Sequence, residues 1–150
     1  MMHTESSILI NAPMTEVFAM TSDLSRWPAN LPHYRWVKWI EGGPDSGIVE
    51  MAAQRGSIPI KWISEYRRDA AKPELWFRHL SAFTKGMEVR WIYKQRPEGV
   101  HITIDHELSF RWPLLAPVAN PVIGEFMIGW VAPRTLSSFK KLLECHKVQS

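Results

Sequence analysis

The chain has 150 residues, a length suited to one domain with a real core, and its 45% hydrophobic and 22% charged residues exclude a disordered polymer. The formal charge is +3, with Lys and Arg scattered along the sequence rather than gathered into a stripe, which argues against nucleic-acid binding. Cys145 is the single cysteine, so no internal disulfide can form. No apolar run approaches the roughly 18 residues of a membrane span, and the start lacks a signal-peptide pattern. These features predict one cytoplasmic domain over residues 1–150, with no stable membrane insertion and no cofactor.

In chain order, "TESSILIN" alternates as a first strand ending near Asn11. "APMTEVFAMTSDLSRWPANLP" then carries Pro13 near a helix start and Val17, Met20 and Leu24 at helical spacing. Ser22 or Asp23 can cap a second short helix, which Pro28 is expected to end. Six strands follow without interruption. "HYRWVKWIE" is closed by Gly42, Gly43 and Pro44, and "GIVEMAAQR" by the two-residue hairpin signal Gly56-Ser57. "IPIKWISEYRR", "ELWFRHLS", "KGMEVRWIYKQ" and "VHITIDHELSFRW" complete the series, and connections this short demand an antiparallel meander.

The period then changes. From Asn120 and Pro121, a cap and a first-turn proline, Val122, Phe126, Trp130, Leu136, Phe139 and Leu143 recur at three- and four-residue spacing. Roughly 25 residues at 1.5 Å each predict a rod near 38 Å, kinked near Gly129 by Pro133.

Strand parity selects the interior. In "IKWISEYRRD", Ile60, Trp62, Ser64 and Tyr66 share one face; Leu75, Phe77 and His79 share another strand's. Met87, Val89, Trp91 and Tyr93 form a third inward set, and Val100, Ile102, Ile104, His106, Leu108 and Phe110 a fourth. The inner surface is thus aromatic and aliphatic, with Ser64, Tyr66, His79, Tyr93 and His106 as its polar points. Eight tryptophans and six phenylalanines serve either a dry core or a cavity for a flat ligand. Metal chelation fails on geometry: His101 and His106 lie on opposite faces of one strand, and Asp105 and Glu107 share the outer one.

The order strand, two short helices, six strands, long helix resembles the helix-grip fold of the START-related superfamily. In detail, "ESSILINAPMTEVFAMTSDLSRWP", with Ala12-Pro13, Val17-Phe18, Asp23 and Trp27-Pro28, is similar to that superfamily's opening. "IKWISEYRRD", "FRHLSAFTKGMEVRW" and "GVHITIDHELSF" look most like the polyketide cyclase/aromatase branch. The resemblance implies an α+β fold in which a seven-stranded curved antiparallel sheet wraps around the C-terminal helix and leaves an interior cavity. It implies a hydrophobic, ring-containing or polyketide-like ligand, with cyclisation or dehydration as the chemistry if the protein is an enzyme. On that expectation His106 is the acid/base group and Tyr66 a donor to a carbonyl. Trp62, Trp91 and Phe126 would stack on the ligand, with Ser64, His79, Tyr93, Arg35 and Trp130 as further contacts. The resemblance also implies an inward Arg on the strand of Trp62 and Ser64. Parity puts Tyr66 there and turns Arg67 outward unless the strand bulges, leaving Arg35 and Arg134 as substitutes. The alternatives are a non-catalytic carrier of a lipid or quinone, resembling coenzyme-Q-binding proteins, and an interaction module with a collapsed cavity. A homo-oligomer stays open.

Overall fold

The computed structural model describes residues 2–81, 85–108 and 129–149. Strand β1 (Met2–Ile10) leads into helix α1 (Met14–Thr21), a 3-10 turn (Leu24–Arg26) and helix α2 (Trp27–Asn30). Six strands follow: β2 (Tyr34–Gly42), β3 (Ser46–Arg55), β4 (Ile58–Asp69), β5 (Glu74–His79), β6 (Glu88–Arg96) and β7 (Gly99–Leu108). Helix α3 (Ala132–Gln149) packs against β1 and the short helices.

All seven strands form one antiparallel sheet in the order β1-β7-β6-β5-β4-β3-β2. Short hairpins build β2 to β7 as a meander, and β1 pairs with β7 from Met2↔Leu108 to Ile10↔Val100. The expected Gly56-Ser57 hairpin joins β3 to β4, with Gly56 at φ +61°, a conformation that glycine adopts without steric cost. β4 runs without a bulge against both neighbours, so its alternation holds from end to end. Trp62, Ser64 and Tyr66 are buried, and Arg67 is exposed over the Trp76 ring.

Two details of the helices differ from the sequence expectation. Pro28 does not end a helix; it occupies the first turn of α2, where a missing N–H costs nothing because no carbonyl awaits it. Asp23 precedes the 3-10 turn without making a side-chain cap bond, and Ser22 instead closes α1. The long rod is seen in its C-terminal part. A π-helical turn over residues 129–131 precedes α3, and Pro133 sits in the next turn, where it cannot donate to the carbonyl of Gly129. The expected start of the rod at Asn120, together with Phe110 and Phe126, lies outside the described residues.

Helix α3 turns Ala132, Leu136, Phe139 and Leu143 inward at three- and four-residue spacing. Leu136, Phe139 and Leu143, once buried, each contribute about 1.5–3 kcal/mol. The helix is also tied to the end of β1. Lys140 donates to the carbonyl of Leu9 and pairs with Glu144, which accepts from the backbone N–H of Asn11. Trp27, 2% exposed, lies at the centre of the core, its ring 5.2–6.3 Å from those of Tyr34, Phe77, Trp91 and Phe139. Among the described residues, no helix is long and apolar enough to cross a membrane.

Candidate functional site

Between the inner face of the sheet and the start of α3 lies a chamber that leaves about 50 Å³ for the centres of water molecules. Its walls follow from strand parity. Trp62 comes from β4, Phe77 and His79 from β5, Val89 and Trp91 from β6, and Ile104 and His106 from β7. Met51 and Met87 add flexible apolar surface. On the helix side, the π turn and the first turns of α3 contribute Val131, Ala132 and Thr135, with Trp27 and Tyr34 beside them. Among the described residues, no Lys, Arg, Asp or Glu lines this space.

The two histidines of this wall are therefore neutral imidazoles. His79 is held down to about 3, first by burial and then by the charge His106 would carry. Burial likewise lowers His106 to about 4, against a smaller raising effect of Asp105. His79 lies flat against Trp62, with ring centroids 5.8 Å apart. The Nδ1 of His106 is buried and has no hydrogen-bond partner among the described residues. The tautomer protonated on Nε2 leaves no N–H buried at Nδ1 without an acceptor. His106 is then a hydrogen-bond donor in its resting form, with a free Nδ1 lone pair.

A second polar group stands where β2 meets α3. His33 Nε2 is 2.8 Å from Thr135 Oγ1, which donates to the carbonyl of Val131 at 2.7 Å. The Tyr34 phenol is buried beside this pair, and burial pushes it upward. His33 is lowered to about 4 by burial first and by the Arg134 guanidinium second. This network pins the π turn to the sheet through side chains 102 positions apart.

The sequence candidates separate into three groups. Trp62, His79, Trp91 and His106 converge on the chamber. Tyr66 and Tyr93 share the inner face but stand elsewhere. Tyr66 donates to the carbonyl of Ser22 at 3.2 Å, and the Tyr93 hydroxyl lies 2.6 Å from Thr21 Oγ1. The ladder Tyr66↔Phe77↔Val89↔His106 puts β5 and β6 between the expected catalytic pair. At about 4.8 Å per strand their backbones are roughly 14 Å apart, so the structure does not bring the two together. Ser64 is buried opposite His79 in the ladder, but its Oγ has no hydrogen-bond partner among the described residues and it is not a chamber wall.

The third group stands outside the chamber. Arg35 is exposed, its guanidinium 5.3 Å from the Trp36 ring, because the bulge between Tyr34 and Trp36 turns it to the outer face. Trp130 is half-buried, edge-on to His33 and covered by Arg134 at 4.6 Å. Phe126 lies outside the described residues. Sequence reasoning missed Tyr34, His33 and Thr135, and also Arg68, the inward cation at the end of β4. Arg68 bonds Asp45 at 2.8 Å and reaches Ser22, next to Tyr66 rather than the chamber. Continuing the parity of Tyr66 by two residues is the signal that finds it. The one metal-like grouping among the described residues, His3, Asp105 and Glu107, is on the outer sheet face, and nothing else there points to an ion.

Comparison with known proteins agrees with this architecture. The family described as "Polyketide cyclase / dehydrase and lipid transport" matches residues 10–128. A Streptomyces halstedii protein named "Putative polyketide cyclase" is 29% identical over 102 residues, covering 65% of this chain and 93% of its own length. Among solved structures, TTHA0849 from Thermus thermophilus superposes with a TM-score of 0.79 at 14% identity, covering 97% of this chain and 99% of that one. The Zhui aromatase/cyclase from Streptomyces sp. R1128 gives 0.69 at 15%, covering 94% and 95%. At these identities the solved structures establish the fold.

Proposed function

Because the chain belongs to the polyketide cyclase/dehydrase and lipid transport family, we propose that its interior chamber binds a polyketide-like, ring-forming small molecule and promotes its cyclisation and dehydration. The observation that carries this reading is the placement of two neutral imidazoles, His79 and His106, on a chamber wall otherwise made of aromatic and aliphatic side chains. Such a wall gives a poly-ketone flat surfaces to lie on and few groups to mis-pair with.

The chemistry needs a proton removed from a carbon between two carbonyls, and a donor that steadies the enolate. That enolate carbon attacks a second ketone, closing the ring as a new C–C bond, and the alkoxide takes up a proton. Loss of the hydroxyl together with a further α-proton releases water and leaves a double bond. His106 in its neutral form supplies the N–H that meets the developing enolate oxygen. Its partner His79, held parallel to Trp62, is the nearby group able to accept the α-proton. Low-pKa imidazoles are weak bases in an empty chamber; an enolate alongside favours the protonated form and raises them. Trp62 and Trp91 offer the faces on which the folded chain stacks.

The test is turnover of a synthetic poly-β-ketone substrate. His106→Phe should slow turnover far more than it weakens binding. Tight ligand uptake by the unaltered protein with no product, under conditions where it is folded, would instead identify a carrier.

A further inference from the structure

We infer that Arg55, Arg134 and Trp130 form a binding site for a phosphate group beside the chamber. The site goes beyond the chemistry proposed above and does not require the chain to be a cyclase.

Two cations converge on one ring. The Arg55 guanidinium, from the end of β3, stands 5.6 Å from the centre of the Trp130 ring, and that of Arg134, from the first turn of α3, stands 4.6 Å from it. The indole face attracts each cation by about 0.5–1 kcal/mol at an exposed site, but the two guanidiniums repel one another. His33, itself bonded to Thr135, is edge-on to the same ring at 5.5 Å. Trp130 directly precedes Val131, and Arg134 precedes Thr135, both residues of the chamber wall. An anion held here therefore lies next to the chamber.

Charge separates this cluster from a similar one on the outer sheet face. There Arg67 and Arg78 lie 4.6 and 5.9 Å from the centre of the Trp76 ring, but Glu65 pairs with Arg78 and Glu74 with neighbouring Arg90. Among the described residues no carboxylate forms an ion pair with Arg134, which is exposed. The segments that supply His33, Arg55 and Arg134 are acid-free: residues 24–40, 51–64 and 129–143 contain no Asp or Glu, in a chain that has 15. None of these segments offers the cations a counter-charge, and an anion arriving from solvent supplies one.

The number of donors selects the anion. One guanidinium satisfies a carboxylate by binding both its oxygens. Two guanidiniums from different elements suit a group with more oxygens and more charge. A phosphate ester presents three oxygens and about 1.5–2 negative charges near neutral pH. His33 adds unused bonding capacity at the same place. It is 5% exposed, and its buried Nδ1 has no hydrogen-bond partner among the described residues. A ligand, or a water it brings, fills such a vacancy.

Heteronuclear NMR of the isotopically labelled full chain, near neutral pH and at constant ionic strength, tests the site. The readout is the indole N–H signal of Trp130, which Trp130→Phe identifies by its loss. The probes are inorganic phosphate, phenyl phosphate and acetate. Inorganic phosphate should shift the signal saturably, and acetate should bind at least about tenfold more weakly. Arg134→Gln should lower phosphate affinity by about tenfold, and Arg134→Lys, which keeps the charge but not the fork, by about threefold. Arg67→Gln removes the same charge beside Trp76 and should leave the affinity within about twofold. The spectra themselves show whether each variant is folded. Phenyl phosphate binding more tightly than phosphate, with shifts at Trp62 or Trp91, upholds the site and makes the phosphate one end of a chamber guest. Equal affinity with a shift at Trp130 alone upholds it for phosphate by itself. No saturable shift with either phosphate, or equal losses in Arg134→Gln and Arg67→Gln, overturns the site, and acetate binding as tightly as phosphate overturns its assignment to phosphate. Failure of the poly-β-ketone assay removes the cyclase reading and leaves this site standing.

Discussion

The imidazole of His79 lies parallel to the indole of Trp62, the two planes within 4° of each other. They sit on neighbouring strands, one step apart in the β4–β5 ladder, where Ser64 is opposite His79. Both rings line the chamber, and His79 is buried there. Trp62→Ala should remove about 3–5 kcal/mol of stability, as large aromatic truncations in cores do. Trp62→Phe, which keeps a flat partner, should lose less than half as much. Urea midpoints with unchanged m-values decide this; a loss below about 1 kcal/mol for the alanine variant would show that Trp62 is not part of the packed wall.

The buried histidines give the fold a defined pH response. His33, His79 and His106 titrate at about 4, 3 and 4 in the folded chain, against an ordinary 6.5. Between those values the unfolded chain binds more protons than the folded one, so stability rises with pH. The contribution is complete above about pH 6.5 and is lost progressively as pH falls toward 4. Each group accounts for roughly 3–5 kcal/mol across the full window. Urea midpoints should fall steeply between pH 7 and 5, and His106→Gln should flatten that slope by about one proton. A flat profile would mean that these rings are already protonated or exposed.

Tyr66 and Tyr93 hold the short helices to the sheet. Tyr66→Phe leaves the Ser22 carbonyl still reached by Arg68, and Tyr93→Phe leaves Thr21 Oγ1 still donating to Val17. Each change should therefore cost about 1 kcal/mol, the net worth of one hydrogen bond with no orphan left behind. Ligand affinity should stay within roughly twofold, because neither hydroxyl belongs to the chamber. A tenfold loss of binding or turnover in Tyr66→Phe would restore that phenol to the chemistry.

Gly99 opens β7 at φ +146°, and a Cβ there would meet the carbonyl oxygen of Ile10 at 2.2 Å. Neither strained backbone nor clash can be relieved by a flexible side chain, since the obstacle is the main chain of β1. Gly99→Ala should destabilise the protein by roughly 2–4 kcal/mol and raise hydrogen exchange first along the β1–β7 pairing. Wild-type protection in β1 would show that the strands have room to part.

Much of the fold was readable because alternation and helical spacing are local signals. Trp62, Tyr66, Phe77, His79, Trp91 and His106 all face the interior that parity gave them. Face, however, is not proximity. Parity cannot say how many strands separate two inward residues, and that is why Tyr66 and His106 looked like a pair. Nor does a sequence pattern expose contacts such as His33 with Thr135, which depend on how α3 crosses the sheet. Arg35 stayed ambiguous because β2 carries aromatics on both faces, and a bulge, invisible in one sequence, decided its direction.

The seam between β1 and β7 also bears on how the protein comes into being. Residues 2–10 leave the ribosome early yet wait for residues 100–108 before any strand covers their edge, and for Lys140 and Glu144 before α3 fastens them. During synthesis the meander of β2 to β7 can zip hairpin by hairpin, while β1 stays unpaired until residues 100–108 have emerged. A nascent chain stalled before residue 100 should keep β1 open to proteases, and one released after α3 should not.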